Sequence, residues 1–149
     1  MDKLNNILNA LESVDTNTLF QSAVKKFDDD IIKLNHSQLE QGQKSNGEST
    51  PEHTFGSLSK KYVDEKVAKG LIDNSTLPNV NLKNTGSFYS GFKVRLQPDA
   101  FNIFSTDSKS SDLQDYGGSK IFGINKDNLE VLRQKTSPFI QKEFKKIIL

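Results

Sequence analysis

The sequence predicts an α+β fold, with long N-terminal amphipathic helices, a small and mainly antiparallel β-sheet built on a central hairpin, and a C-terminal helix. Three patterns predict it. Apolar residues recur at steps of three and four from Leu4 to Leu34, they alternate with polar ones from Phe88 to Leu96, and the three-and-four spacing returns in the last segment. A length of 149 residues gives room for one core, so residues 1–149 read as a single domain: helices over 1–42, a mobile loop over 43–57, then helix, β-hairpin and C-terminal helices over 58–149.

Leu4, Ile7, Leu8 and Leu11 share one helical face, and Ser13, Asp15 and Thr16 interrupt the run with residues that favour caps and turns. Phe20, Ala23, Val24, Phe27, Ile31 and Leu34 then predict one long amphipathic helix that stops near Gly42. Lys25, Lys26, Asp28, Asp29, Asp30 and Lys33 form its solvent face; adjacent helical residues point about 100° apart, so the aspartates cannot converge on one ion. From Gln41 to Phe55 periodicity disappears and Gly, Ser, Asn and Pro accumulate, which reads as a loop. Leu58 to Lys69 is helical in composition, with Leu58, Tyr62 and Val67 on its apolar side and Gly70 as its stop. Lys60, Lys61, Lys66 and Lys69 make it the most basic short window, expected on the surface.

The central strand is read over Phe88–Gln97, where Phe88, Ser90, Phe92, Val94 and Leu96 alternate with the other set; Pro98 and Asp99 turn the chain, and Phe101, Ile103 and Ser105 return it. Phe88, Phe92, Val94, Phe101 and Ile103 are the expected inward face. A short helix around Leu113 and Tyr116 ends at Gly117 and Gly118, and Lys120 to Ile124 reads as a third short strand. The C-terminal segment reads as two helical pieces. Asn125 caps the first, with Leu129 and Leu132; Ser137 and Pro138 begin the second, with Ile140, Phe144, Ile147 and Ile148.

Composition excludes several chemistries. There is no cysteine, hence no disulfide, thiolate ligand or cysteine nucleophile, and the two histidines, His36 and His53, are too few for a three-histidine metal site. Ser57 and Lys60 fit a Ser-x-x-Lys pattern whose companion elements are missing. Asp107, Asp112, Asp115, Asn125, Asp127 and Glu130 do not follow an EF-hand pattern and read as caps and turns, and the glycines form no phosphate loop. No catalytic, cofactor-binding or metal residues are expected, and no enzyme. Met1 to Ala10 lacks the pattern of a secretory signal and no segment has the apolar length of a membrane span, so a soluble protein with no membrane partner is expected. The apolar share, 34%, is lean, and a net charge of +1 conceals lysines gathered in 60–69 and in the last turns.

The stretch from Asn81 to Val94, with Leu82, Thr85, Gly86, Phe88, Gly91 and Phe92, resembles the Leu-x-x-Thr-Gly-x-[Leu/Phe]-x-x-[Ser/Gly]-[Phe/Ile] signature of tailed-phage virion morphogenesis proteins of the head-tail joining, or tail-completion, group. Upstream, the helix ending in Gln38 to Gly42, a polar loop and the basic helix Leu58 to Gly70 resemble the order of elements in that group; downstream, Phe101 to Asp107 resembles its return strand, and Leu113 to Gly117 with Ile121 to Ile124 resembles its tyrosine, glycine and Phe-Gly-[Leu/Ile] segment, so the likeness spans roughly residues 38 to 149. It makes Thr85, Gly86, Phe88, Phe92, Tyr116, Gly117, Phe122 and Gly123 the structural signature. It implies a structural virion protein of the phage neck, present in host cytoplasm during assembly, that forms a homo-oligomeric ring between portal-side and tail-side partners. Lys60, Lys61, Lys66, Lys69 and the Gln41–Phe55 loop would then be free to face partners or channel DNA. Two other readings compete: a small nucleic-acid-binding module using the Lys60–Lys69 helix with Lys142, Lys145 and Lys146, and an enzyme built on Ser57 and Lys60 or on the Asp107–Glu130 carboxylates.

Overall fold

A computed structural model of the chain describes residues 2–51, 61, 64–70, 82–83 and 85–149. Along the sequence run helices α1 (Asp2–Glu12), α2 (Thr16–Lys26) and α3 (Asp28–Glu40), a helical turn α4 (Ser87–Ser90), strands β1 (Phe92–Leu96) and β2 (Phe101–Ser105), helix α5 (Ser110–Gly117), a 3₁₀ turn (Ser119–Ile121) and helix α6 (Lys126–Ile148). The α+β class is as the sequence predicts. α3 lies between β1 and α6, and both α1 and α2 pack on α6. One core joins the layers: Val24, Ile31 and Leu39 from the N-terminal helices meet Phe88, Tyr89, Phe92, Ile103, Ile121 and Leu132.

The long helix expected from Phe20 to Gly42 is two helices that break at Phe27, whose φ of −112° and ψ of 20° leave the helical region. End charges explain the position. Lys25 and Lys26 occupy the last turn of α2, while Asp28, Asp29 and Asp30 occupy the first turn of α3, so each set opposes the partial charge of its own helix end. The Asp28 side chain also accepts the Asp29 backbone N–H at 2.7 Å. Asp15 caps α2 through Asn17 N at 2.9 Å and Thr18 Oγ1 at 2.6 Å, which holds its carboxyl below the ordinary range.

The loop expected to be mobile is built, over 43–51, as a tight reversal. Gln43 bridges Ser49, Lys44 N bonds Glu48 O at 2.7 Å, and Thr50 N returns to Gly42 O at 2.8 Å. Residues 52–57 lie outside the described set, and with them His53 and Ser57. Of the expected Leu58–Lys69 helix, residues 61 and 64–68 are helical, with Gly70 at φ +65° ending them; Leu58, Lys60 and Tyr62 lie outside the described residues.

Strand β1 is shorter than expected. Gly86 has φ +87°, a conformation costly to any residue with a Cβ, and it turns the chain into α4 rather than directly into a strand, with Ser90 N bonded to Gly86 O at 3.0 Å. Phe88 is therefore not on a sheet face. The helical turn points Phe88 and its neighbour Tyr89 both into the core, which an alternating strand could not do. β1 and β2 pair antiparallel as Phe92↔Ser105, Val94↔Ile103 and Leu96↔Phe101, so the remaining expected inward residues share one face. On the other face Arg95 lies 4.5 Å from the Phe104 ring centroid.

No third strand forms at Lys120–Ile124. A 3₁₀ turn covers its start, Phe122 is extended, Gly123 bends at a φ of +116°, and backbone groups there pair with side chains, as described below. The C-terminal segment is one helix of 23 residues, with Pro138 inside it, rather than two pieces. Proline removes a backbone donor there. The hydroxyls of Ser137 and Thr136 turn back onto the Arg133 carbonyl at 2.7 and 3.3 Å, adding hydrogen bonds to the affected turn, and packing on α2 and α3 holds the helix through it.

Candidate interaction surfaces

Of the signature residues, Phe88, Phe92, Gly117 and Phe122 build scaffold rather than surface. Phe88, Phe92 and Phe122 form a triangle with ring centroids 5.0, 5.8 and 5.2 Å apart. His36 of α3 closes it by stacking on Tyr89, centroids 4.7 Å apart and planes 11° apart, and by meeting Phe92 edge-on. Burial outweighs the Tyr89 backbone bond and the Glu40 charge and lowers the His36 pKa, while its Nε2 is buried with no hydrogen-bond partner among the described residues. Gly117 packs so tightly that an added Cβ would sit 2.6 Å from the Ile121 side chain. Thr85 bonds locally to Ser87, and Tyr116 is exposed.

The polar centre of the molecule was not foreseen from sequence. Asn35 and Gln38, on adjacent turns of α3, are both 0% exposed. Each uses its amide as a short piece of β-ladder against the segment 121–125, which bends at Gly123 with a φ of +116°. Asn35 Nδ2 donates to Ile121 O at 3.0 Å and Oδ1 accepts from Gly123 N at 3.1 Å; Gln38 Nε2 donates to Gly123 O at 2.7 Å and Oε1 accepts from Asn125 N at 2.9 Å. Asn125 in turn caps α6 by accepting Asn128 N at 2.9 Å, and Asn128 donates to Leu34 O at 3.0 Å. The pattern that could have shown this is the placement of Asn35 and Gln38 on the apolar stripe of Ile31, Leu34 and Leu39, where a polar residue is tolerated only with partners.

The outer surface divides by chemistry. Leu4 at 59% exposure, with Leu8 and Leu11, forms an apolar ridge on α1, while Ile7 and Ala10 are its half-buried side. On α6, Leu129 at 52% exposure, with Ile140 and Ile147, forms a second ridge, because steps of eleven and seven residues return to nearly one azimuth at about 100° per residue. Leu132 alone of the expected C-terminal apolar set is fully buried; Phe144 and Ile148 are half-buried, and Phe139 is spent on an edge contact with Phe27, centroids 5.8 Å apart.

The expected basic helix behaves differently from the expectation of a free cationic face. Lys61 and Lys69 are exposed, but Lys66 is only 2% exposed, and burial lowers its pKa to about 8, whereas Val67 beside it faces solvent. Lys66 therefore cannot face a partner or DNA. Asp107 accepts Lys109 N at 2.8 Å and Asn125 caps α6, and among the described residues no group of three or more His, Asp or Glu is placed to hold a metal ion. Comparison of the chain with protein-family models, curated proteins and solved structures finds no match.

Proposed function

We propose that this chain is a non-enzymatic structural subunit of a tailed-phage virion, a neck or tail-completion component that joins head to tail as part of an oligomeric ring. The observation that carries the reading is the pair of exposed apolar ridges on α1 and α6, large side chains held in solvent by a molecule whose core is already lean. Exposed apolar rows of this kind mark protein contacts. A ridge on one element that meets a different surface of a neighbour gives head-to-tail contacts, and these close into a ring when the rotation allows. The likeness of the Leu82–Phe92 and Phe122–Gly123 segments to the neck group supports the same reading, since Phe88, Phe92 and Phe122 of those segments build one aromatic scaffold.

Native mass measurement, alone and with the portal-side and tail-side proteins of the same phage, tests it. Wild type should assemble, and Leu129→Gln with Ile140→Gln and Ile147→Gln should remain folded and monomeric, because exposed positions change monomer stability by only about 0.5 kcal/mol each. A wild-type chain that stays monomeric and joins no particle overturns the proposal.

A further inference from the structure

The C-terminal half of α6 has a second exposed face. Roughly 180° around the helix from the apolar ridge, Pro138, Gln141, Lys142, Lys145 and Lys146 line a shallow concavity of about 460 Å³. The three lysines are exposed. Glu143 engages Lys146 at 2.6 Å, whereas Lys142 and Lys145 have no ion-pair partner among the described residues. Helix α2 brings one further cation alongside. In its last turn, Lys26 Nζ lies 5.3 Å from the ring centroid of Phe139, the residue one turn before Lys142. Of the other cations from Val131 to Leu149, Arg133 pairs with Glu130 at 3.7 Å and Lys135 with Asp30 at 2.8 Å, which leaves Lys142 and Lys145 as the uncompensated pair among the described residues.

We propose that this lysine face of α6, extended by Lys26, binds the phosphate backbone of double-stranded DNA. The inference deepens the assembly reading, on which it rests for the opposite face: the apolar ridge meets a neighbouring subunit while the lysines meet the polymer. Charge and composition favour DNA over an acidic protein. Protein interfaces centre on aromatic or aliphatic anchors and are depleted in lysine, and this concavity has lysine walls with no exposed aromatic. A phosphate backbone needs only cations at suitable intervals. Lys142 and Lys146 stand about 6 Å apart along the helix axis, at about 1.5 Å per residue, and their flexible stems can follow successive phosphates without reading sequence.

The test is fluorescence anisotropy of the full chain with a short labelled duplex, between about 50 and 200 mM salt. Wild type should bind, and Lys142→Gln with Lys145→Gln should weaken binding about tenfold or more at the low-salt end and flatten the slope of log K against log salt by about 2. Lys61→Gln with Lys69→Gln should leave both unchanged, and circular dichroism should show each variant folded. Three results overturn the inference: no binding by wild type at about 50 mM salt, a Lys142/Lys145 variant that binds as wild type does, or displacement of the duplex by polyglutamate at equal charge, which would make the partner an acidic protein. Native mass measurement on the same samples separates the two readings. Oligomers that ignore DNA overturn this inference alone, and monomers that bind DNA through Lys142 and Lys145 overturn the assembly reading alone.

Discussion

Gln38 on α3 holds Asn125 across 87 residues of chain, its side-chain oxygen accepting the Asn125 backbone N–H at 2.9 Å while its nitrogen donates to Gly123 O at 2.7 Å. One amide thus satisfies two backbone groups of a segment that has no strand beside it, and it does so at the cap of the longest helix.

Gln38→Ala should destabilise the fold by about 2–4 kcal/mol, because it strands a buried donor and a buried acceptor together. Gln38→Glu should be nearly as damaging, since a carboxylate cannot donate to the Gly123 carbonyl. Urea denaturation of both variants measures the effect. A loss below about 0.5 kcal/mol would mean that the 121–125 segment is held by packing alone.

Two glycines near the signature should fail for different reasons. At Gly86 nothing lies within 4 Å of an added Cβ, so only its φ of +87° is costly; Gly86→Ala should cost about 1 kcal/mol, and Gly86→Asn less. At Gly91 an added Cβ would sit 2.6 Å from Ser105 Oγ and 3.0 Å from the Asp107 backbone nitrogen, and that hydroxyl is itself bonded to Phe88 O at 2.8 Å. Gly91→Ala and Gly91→Asn should each cost about 1–3 kcal/mol, with no relief from asparagine. Thermal melts of the four variants distinguish the two mechanisms.

Acid should weaken the aromatic scaffold through His36. Burial lowers its folded-state pKa beneath the ordinary value of 6.5, so the unfolded chain takes up the proton first. The stability contributed by the neutral, stacked ring is fully present above 6.5, falls as the pH drops below 6.5 toward the folded pKa, and levels off beneath it. Glu40, which would favour the charged ring, is already engaged by Lys83 at 2.9 Å. His36→Phe should flatten the stability profile in that window, read from denaturation midpoints between about pH 7 and 5. A profile identical to wild type would remove His36 as the source.

Pro138 interrupts the hydrogen-bond ladder of a helix that is nonetheless continuous. Pro138→Ala should raise stability by about 1–2 kcal/mol, the gain of a backbone bond to Gln134 offset in part by a freer unfolded chain. A destabilised variant would show instead that the proline ring has a packing role against its neighbours.

Much of the framework was legible in the residues taken in order. The hairpin followed from the alternation of Phe92, Val94 and Leu96 with Lys93 and Arg95, and the register of Val94 with Ile103 keeps that alternation on one face. The period of two begins at Phe88 and Ser90, ahead of the strand itself, and nothing local reveals that Gly86 starts a helical turn instead. The helix break at Phe27 was hidden for the opposite reason. Phe20 to Leu34 keeps an unbroken apolar stripe, whereas the break is set by opposed end charges. The surfaces were less legible. Lys66 and Val67 exchange the positions that their chemistry suggests, and Ile140 and Ile147 look like core in any periodicity plot.

By itself the sequence determined the α+β class, the hairpin, the caps at Asp15 and Asn125, and the exclusion of cysteine chemistry, because each depends on neighbours within a few residues or on composition alone. Only the tertiary structure decided that Asn35 and Gln38 serve as the edge of a missing strand, that Lys66 is buried, and that α6 has one apolar and one lysine face in solvent. The first of these depends on segments that meet across 85 or more residues, as Gln38 meets Gly123, and no local period carries that information.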